Sequence, residues 1–317
     1  MENPRKYGKA PFSVAVIHGG PGAGGEMAPV ARELASGRGV LEPLQRATSL
    51  DGQVQELKTA LEKNGDLPVT LIGFSWGAWL SYLVAAHYPS LVRKLILVGS
   101  GPFEQAYVPR LLETRLERLS EEEREEFKST LEILGDPAAK DKSASLARLG
   151  ALCSKTDTLH LAMMGNEAEG GGIDFRVHNH PPQSPILGIT NHLPDAYTIS
   201  VVKRHRPVRS INYDPVEHET NESSITNRGG DIFQSVWKDA AELRRSGKLL
   251  ELARHVRCPV VAIHGDYDPH PAAGVQEPLS ATLTSFRFIL LKNCGHTPWI
   301  EREARARFYE IIEEELR

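Results

Sequence analysis

The 317-residue chain is 40% hydrophobic and carries a net charge of −4, enough apolar material for one large core or a core with a lid, and too little basic character for a nucleic-acid partner. No apolar stretch approaches the ~20 residues of a membrane span, and Met1-Glu-Asn-Pro-Arg-Lys is followed by no signal-like apolar core. Three cysteines, Cys153, Cys258 and Cys294, form an odd set without C-x-x-C spacing, which fits a reducing, cytoplasmic setting better than a disulfide framework.

The first strand candidate, Ser13 to Ile17, runs into His18-Gly19-Gly20-Pro21-Gly22-Ala23-Gly24-Gly25. This loop lacks the lysine and Ser/Thr of a P-loop and the spacing of a dinucleotide fingerprint. It reads better as a loop whose backbone N–H groups face a developing oxyanion, small residues letting a substrate approach the main chain; a plain tight turn is the alternative. A helical pattern over 25–36, a weak strand at 39–44, a helix over 50–63 and a strand at 69–72 follow. Gly73-Phe74-Ser75-Trp76-Gly77 comes next, a G-x-S-x-G between that strand and a helical pattern over 76–86. A sharp strand-to-helix turn holds a serine oxygen where a base can reach it, and the flanking glycines suit so tight a reversal. A strand at 94–98 completes an alternation that implies a parallel sheet with helices on both faces.

Residues 103–134 and 231–253 carry apolar positions at helical spacing among many charges, and read as a helical cap inserted over the sheet. Residues 166–230 fit neither period. They hold Gly170-Gly171-Gly172, Pro181-Pro182 and five histidines, His178, His180, His192, His205 and His218. Those histidines invite a metal reading, but no H-E-x-x-H or Cys/His spacing accompanies them. The segment reads as a flexible insertion of incidental composition; its abrupt onset also fits a local frame shift. Beyond it, strands at 259–264 and 286–291 are followed by Gly265-Asp266-Tyr267-Asp268-Pro269 and Lys292-Asn293-Cys294-Gly295-His296. Both loops therefore lie past the carboxyl end of a strand, the edge of the sheet that also carries Ser75. Helices are expected over 275–284 and 298–316, with Pro298 opening the last.

With these motifs the chain resembles the α/β-hydrolase superfamily and, within it, the prolyl-iminopeptidase-like branch, whose loop reads H-G-G-P-G and whose elbow carries Ser-Trp-Gly. The resemblance covers roughly residues 12–101 and 232–315. It implies a mostly parallel sheet flanked by helices, with core parts at 1–101 and 255–317 and a cap insertion at 102–254 that includes the irregular segment. The N-terminal hairpin common in that superfamily is expected to be missing. By position, Ser75 becomes the nucleophile, His296 the base and Asp268 the acid, with Asp266 as a second candidate in the same loop. The N–H groups of Gly20 and Trp76 become the oxyanion donors, with His18 and Gly19 supporting the loop. Phe74 stands where iminopeptidases of this type carry a second glycine.

No cofactor or metal is implied, and the partner is a small-molecule substrate; the oligomeric state is left open. The leading reading is a serine hydrolase of small esters or amides. An aminopeptidase would need cap carboxylates for the substrate ammonium, for which Glu104, Glu113 and Glu117 are available, although a solvated helix face also explains them. An acyltransferase and a non-catalytic binding protein are the further readings. Cys294 reads as a packed thiol, and Trp76, Trp79 and Trp299 as pocket walls or core.

Overall fold

Along the central strands, successive side chains alternate between two buried cores, as the two-residue period of a sheet requires. In the computed structural model, which describes residues 3–21, 24–136, 139, 142–159, 174–176, 200–202 and 222–317, seven strands form the main sheet. They are β1 (Arg5–Tyr7), β2 (Phe12–Ile17), β3 (Gly39–Glu42), β4 (Val69–Phe74), β5 (Val92–Val98), β8 (Val260–Gly265) and β9 (Phe286–Leu291), in the order β1-β3-β2-β4-β5-β8-β9. A separate two-stranded ribbon pairs β6 (Asp174–Arg176) with β7 (Ser200–Val202).

Val14, Val16, Ile72, Phe74, Ile96, Val98, Val261 and Ile263 share a core with α1 (Ala28–Leu34) and α10 (Arg305–Glu315). Ala15, Ile17, Leu71, Leu95, Leu97, Val260 and Ala262 pack on the other face with α2 (Leu50–Asn64), α3 (Trp76–His87) and α9 (Ala273–Thr282). Each large aliphatic side chain so buried stabilises the fold by about 1.5–3 kcal/mol. Burial on both faces explains why the strands read as continuous apolar runs.

All neighbouring strands of the main sheet are parallel except β1, which runs antiparallel to β3. This short strand lies where the sequence suggested no strand before the core. Its side chains converge on the buried Glu42, with Tyr7 Oη donating to Glu42 Oε2 at 2.7 Å and Arg5 Nη1 lying 3.4 Å from the same oxygen.

The chain leaves β2 for β3 on one side, then crosses back to β4 on the other. The loops after β2 and β4 therefore diverge at a topological switch point, where a crevice opens at the carboxyl edge.

Between β5 and β8 the described chain is mainly helical: α4 (Val108–Glu117), α5 (Glu121–Gly135), α6 (Ser143–Asp157), α7 (Glu222–Arg245) and α8 (Lys248–Glu251). A capping box of Ser120 and Glu123 starts α5, and Leu119, Phe127, Leu149, Leu152 and Cys153 form a small core with α6. Helix α7 adds Ile232, Val236 and Ala240 to the core around α2 and α3.

Some elements differ from the sequence reading. Helix α6 was not foreseen, and α7 begins inside the span left without regular structure. Pro298 opens a short 3-10 turn, Pro298–Ile300, and α10 starts only at Arg305. Between them Glu301 is extended, and its Oε1 accepts from the main-chain N–H groups of Gly295 at 3.2 Å and Leu159 at 3.0 Å. Among the described residues, no helix is long and apolar enough to cross a membrane.

Candidate active site

Ser75 sits between β4 and α3 with φ 51° and ψ −115°, a conformation that costs a non-glycine residue on the order of 1–3 kcal/mol. The surroundings hold it there: its N–H donates to Val98 O at 2.9 Å. The two glycines of the motif are forced by close approach. A Cβ at Gly73 would lie 2.3 Å from Gly77 O, and one at Gly77 would lie 2.3 Å from Ile17 O and 2.5 Å from His18 O. The elbow is thus wedged against the start of the glycine loop. Trp76 opens α3, where first-turn N–H groups have no partner within the helix.

Asp268 follows β8 and His296 follows β9. His296 Nδ1 lies 2.7 Å from Asp268 Oδ2, and both side chains are fully buried. Burial alone would raise the Asp268 carboxyl, but His296, His270 and His264 outweigh it and hold the group well below its ordinary value. A carboxylate only accepts, so the His296 proton lies on Nδ1 and Nε2 carries the lone pair. Nε2 is buried without a hydrogen-bond partner. The imidazole packs at 4.8 Å on the ring of Phe74, the residue before Ser75. No hydrogen bond joins Ser75 to His296 among the described residues; such contacts commonly tighten only with substrate bound.

Asp266, the other acid candidate, accepts from Cys294 N at 3.2 Å and so braces the loop that carries His296. Cys294 itself is buried and its thiol is pushed up by burial.

The glycine loop is anchored through His18. Gln45 N donates to His18 Nε2 at 3.2 Å, which leaves the ring proton on Nδ1 to donate to Gly19 O at 2.8 Å. Gln45 Nε2 donates to His18 O at 2.9 Å. Gly20 adopts φ 44° beyond this anchor, while Gly22 and Ala23 lie outside the described residues. The Glu26 carboxyl lies buried against Gly19. Burial pushes its pKa well above the ordinary value, with the Gly19 main chain working against that shift.

The sequence reading missed three further contributors. His270 Nδ1 and its main-chain N–H both reach Asp268 Oδ1, at 2.7 and 2.9 Å. Its ring stacks on His296 with centroids 4.4 Å apart, and burial is the main reason its pKa falls to about 4. His264 Nε2 donates to His270 O at 2.8 Å. The third is Arg115 of α4, which forks onto Asp157 at the end of α6, Nε to Oδ1 at 3.0 Å and Nη2 to Oδ2 at 2.5 Å. Burial works against that guanidinium charge, and Asp157 outweighs it. Asp157 O in turn accepts the His296 N–H at 2.8 Å.

Trp76, Trp79 and Trp299 are all buried. Trp76 Nε1 donates to Gln53 Oε1 at 3.0 Å, Trp79 stacks on Trp237, and Trp299 meets Phe74 edge-on. Glu113 and Glu117 are exposed and paired with Arg110, and Glu104 is exposed. The five histidines between 178 and 218 lie outside the described residues. Among the described residues, Asp268, His270 and His296 are the one group whose potential metal-ligand atoms cluster, and both Asp268 oxygens are already engaged by the Nδ1 atoms of the two histidines.

A family model described as "alpha/beta hydrolase fold" matches residues 42–131. No curated protein matches the sequence. Among solved structures, VinJ is similar over 99% of this chain and 93% of its own, at 15% identity and a TM-score of 0.58. A putative lipase from Acinetobacter baumannii AYE aligns over 98% of this chain and 86% of its own, also at 15% identity and TM-score 0.58. A proline iminopeptidase from Mycobacterium smegmatis aligns over 99% and 93%, at 15% identity and TM-score 0.55. With its parallel sheet, its elbow after β4 and the matched segment around it, the chain has the α/β-hydrolase fold.

Proposed function

We propose that the chain is a serine hydrolase that cleaves small esters through an acyl-enzyme intermediate, with Ser75 as nucleophile, His296 as base and Asp268 as acid. The observation that carries this reading is the buried 2.7 Å contact of His296 with Asp268, at the same sheet edge as a strained elbow that carries a serine. In the mechanism His296 Nε2 takes the Ser75 proton as Oγ attacks the carbonyl. Asp268 keeps the imidazole in the Nδ1–H tautomer and stabilises its charged form. The oxyanion rests on the N–H groups of Gly20 and Trp76, each worth roughly 3 kcal/mol of barrier in comparable sites. His296 then returns the proton to the leaving group, and water repeats the sequence to release the acid. Helices α4 to α7 act as a cap, residues 102–254, inserted between core parts 1–101 and 255–317.

The solved structures of similar fold include a putative lipase and a proline iminopeptidase, so ester and amide cleavage both deserve a test. The His-Gly-Gly-Pro-Gly loop and Ser-Trp-Gly elbow favour an aminopeptidase. Against it, Glu113 and Glu117 are already paired with Arg110 at the surface.

Labelling with a fluorophosphonate tests the nucleophile: the wild type should react and Ser75→Ala should not, while the fold is kept. Labelling that persists in Ser75→Ala places the nucleophile elsewhere. On substrate, a nitrophenyl acetate should be cleaved while prolyl and alanyl arylamides stay at the Ser75→Ala background. Arylamide turnover that is lost on acetylating the α-amine would replace the esterase reading with the aminopeptidase one.

A further inference from the structure

We propose that His270 is a positioning residue for the base, holding the carboxylate of Asp268 and the ring of His296 in one geometry. The inference rests on the hydrolase reading above. Each oxygen of Asp268 has its own imidazole: Oδ2 receives His296 Nδ1 at 2.7 Å, and Oδ1 receives His270 Nδ1 at 2.7 Å. Because the carboxylate only accepts, His270 must carry its proton on Nδ1. The His270 main-chain N–H also donates to Oδ1, at 2.9 Å, so that oxygen is pinned from two directions. With Oδ1 fixed, the carboxylate cannot rotate about its terminal bond, and Oδ2 stays aimed at His296.

The second contribution is a surface. The two imidazole planes lie 23° apart with centroids at 4.4 Å, so His270 forms one wall of the His296 slot, and Phe74 at 4.8 Å forms another. His264 holds His270 in turn, donating from Nε2 to His270 O at 2.8 Å.

The arrangement also divides a charge. An N–H donated to Oδ1 draws negative charge away from Oδ2, the oxygen that faces His296. The titratable and charged groups around the pair are Arg115 of α4, Asp157 of α6, His264 of β8, Asp268, Cys294, Asp266 and Glu301. The Arg115 cation also interacts electrostatically with Asp268.

Two substitutions separate the donor from the wall. His270→Phe keeps a flat ring against His296 and removes the N–H. His270→Asn keeps an N–H near the place of Nδ1 and removes the ring. On a nitrophenyl ester, His270→Phe should move the acid limb of kcat/KM upward by about half a unit to one unit. His270→Asn should leave that limb in place and lower kcat by about tenfold through a less confined base. KM should change little in either.

An unshifted acid limb in His270→Phe overturns the proposal. So does a loss of kcat that follows a fall in Tm while the pH profile keeps its wild-type shape. The 15N NMR titration of His296 reads the same shift without any substrate. A shift there in a chain that fluorophosphonate does not label would sink the hydrolase reading and leave the coupling of His270 to His296 standing. No shift in a chain that is labelled would do the reverse.

Discussion

Arg115→Met cuts the link between helix α4 and the loop that carries His296, the proposed base. Arg115 is 11% exposed and Asp157 fully buried, so solvent screens little of their attraction. The substitution leaves the Asp157 carboxylate with the Thr156 hydroxyl at 2.7 Å as its remaining side-chain partner. Removing one member of a buried pair typically costs about 3–5 kcal/mol, mostly because the other charge is stranded. With a urea slope near 3 kcal/mol per molar, the unfolding midpoint should fall by about 1 M or more. The effect should reach catalysis, because Asp157 O holds the His296 N–H. Displacement of a catalytic group by about an ångström costs on the order of 100-fold in rate. The assay is a double-mutant cycle of Arg115→Met and Asp157→Asn, read by urea melts and by ester turnover. Additive effects within about 0.5 kcal/mol, with kcat unchanged, would refute the link.

Asp268→Asn should lower kcat on the order of 10⁴-fold, because the amide favours the wrong imidazole tautomer. Asp266→Asn should stay within about tenfold of the wild type, since its amide oxygen can still accept from Cys294 N; the reverse ranking would reassign the acid. For Glu26 the raised pKa fixes the sign. Above the ordinary carboxylate range the folded state keeps a proton that the unfolded state has lost, so stability falls as pH rises through that window. Glu26→Gln removes the effect, and its Tm relative to the wild type should rise as pH rises above the ordinary carboxylate range. A difference that does not change with pH would show that Glu26 does not titrate in this way.

What could be read from the chain alone followed from local rules. Strands β2, β4, β5 and β8 stood out because burial on both faces leaves unbroken apolar runs. The elbow stood out because Gly73 and Gly77 have no room for a side chain. Strand β1 gave no such signal: Arg5-Lys6-Tyr7 has no apolar alternation, and its place is set by Glu42 in a strand far along the sequence. Helix α6 carries a signal, Leu149, Leu152 and Cys153 at helical spacing, but it is short and borders the segment that fits neither period. His270 lies two residues from Asp268, yet its importance depends on a ring arriving from the loop after β9. Arg115 and Asp157 are separated by 42 positions, and nothing in either neighbourhood announces the other. The choice of Asp268 over Asp266 came from resemblance, and the geometry shows what each carboxylate touches.

Phe74 is the residue at which this elbow departs from the iminopeptidase pattern. Its ring is completely buried, with His296 against it at 4.8 Å and Trp299 edge-on at 4.7 Å. A glycine in its place would open an aromatic-sized hole directly beneath the imidazole. Position 74 therefore cannot be exchanged as a one-residue cassette. An elbow transplanted from a Gly-Gly-Ser-Trp-Gly protein would have to bring with it a loop from after β9 whose own side chains fill the floor, and a chimera that swaps only the elbow would inherit a nucleophile facing an unsupported base.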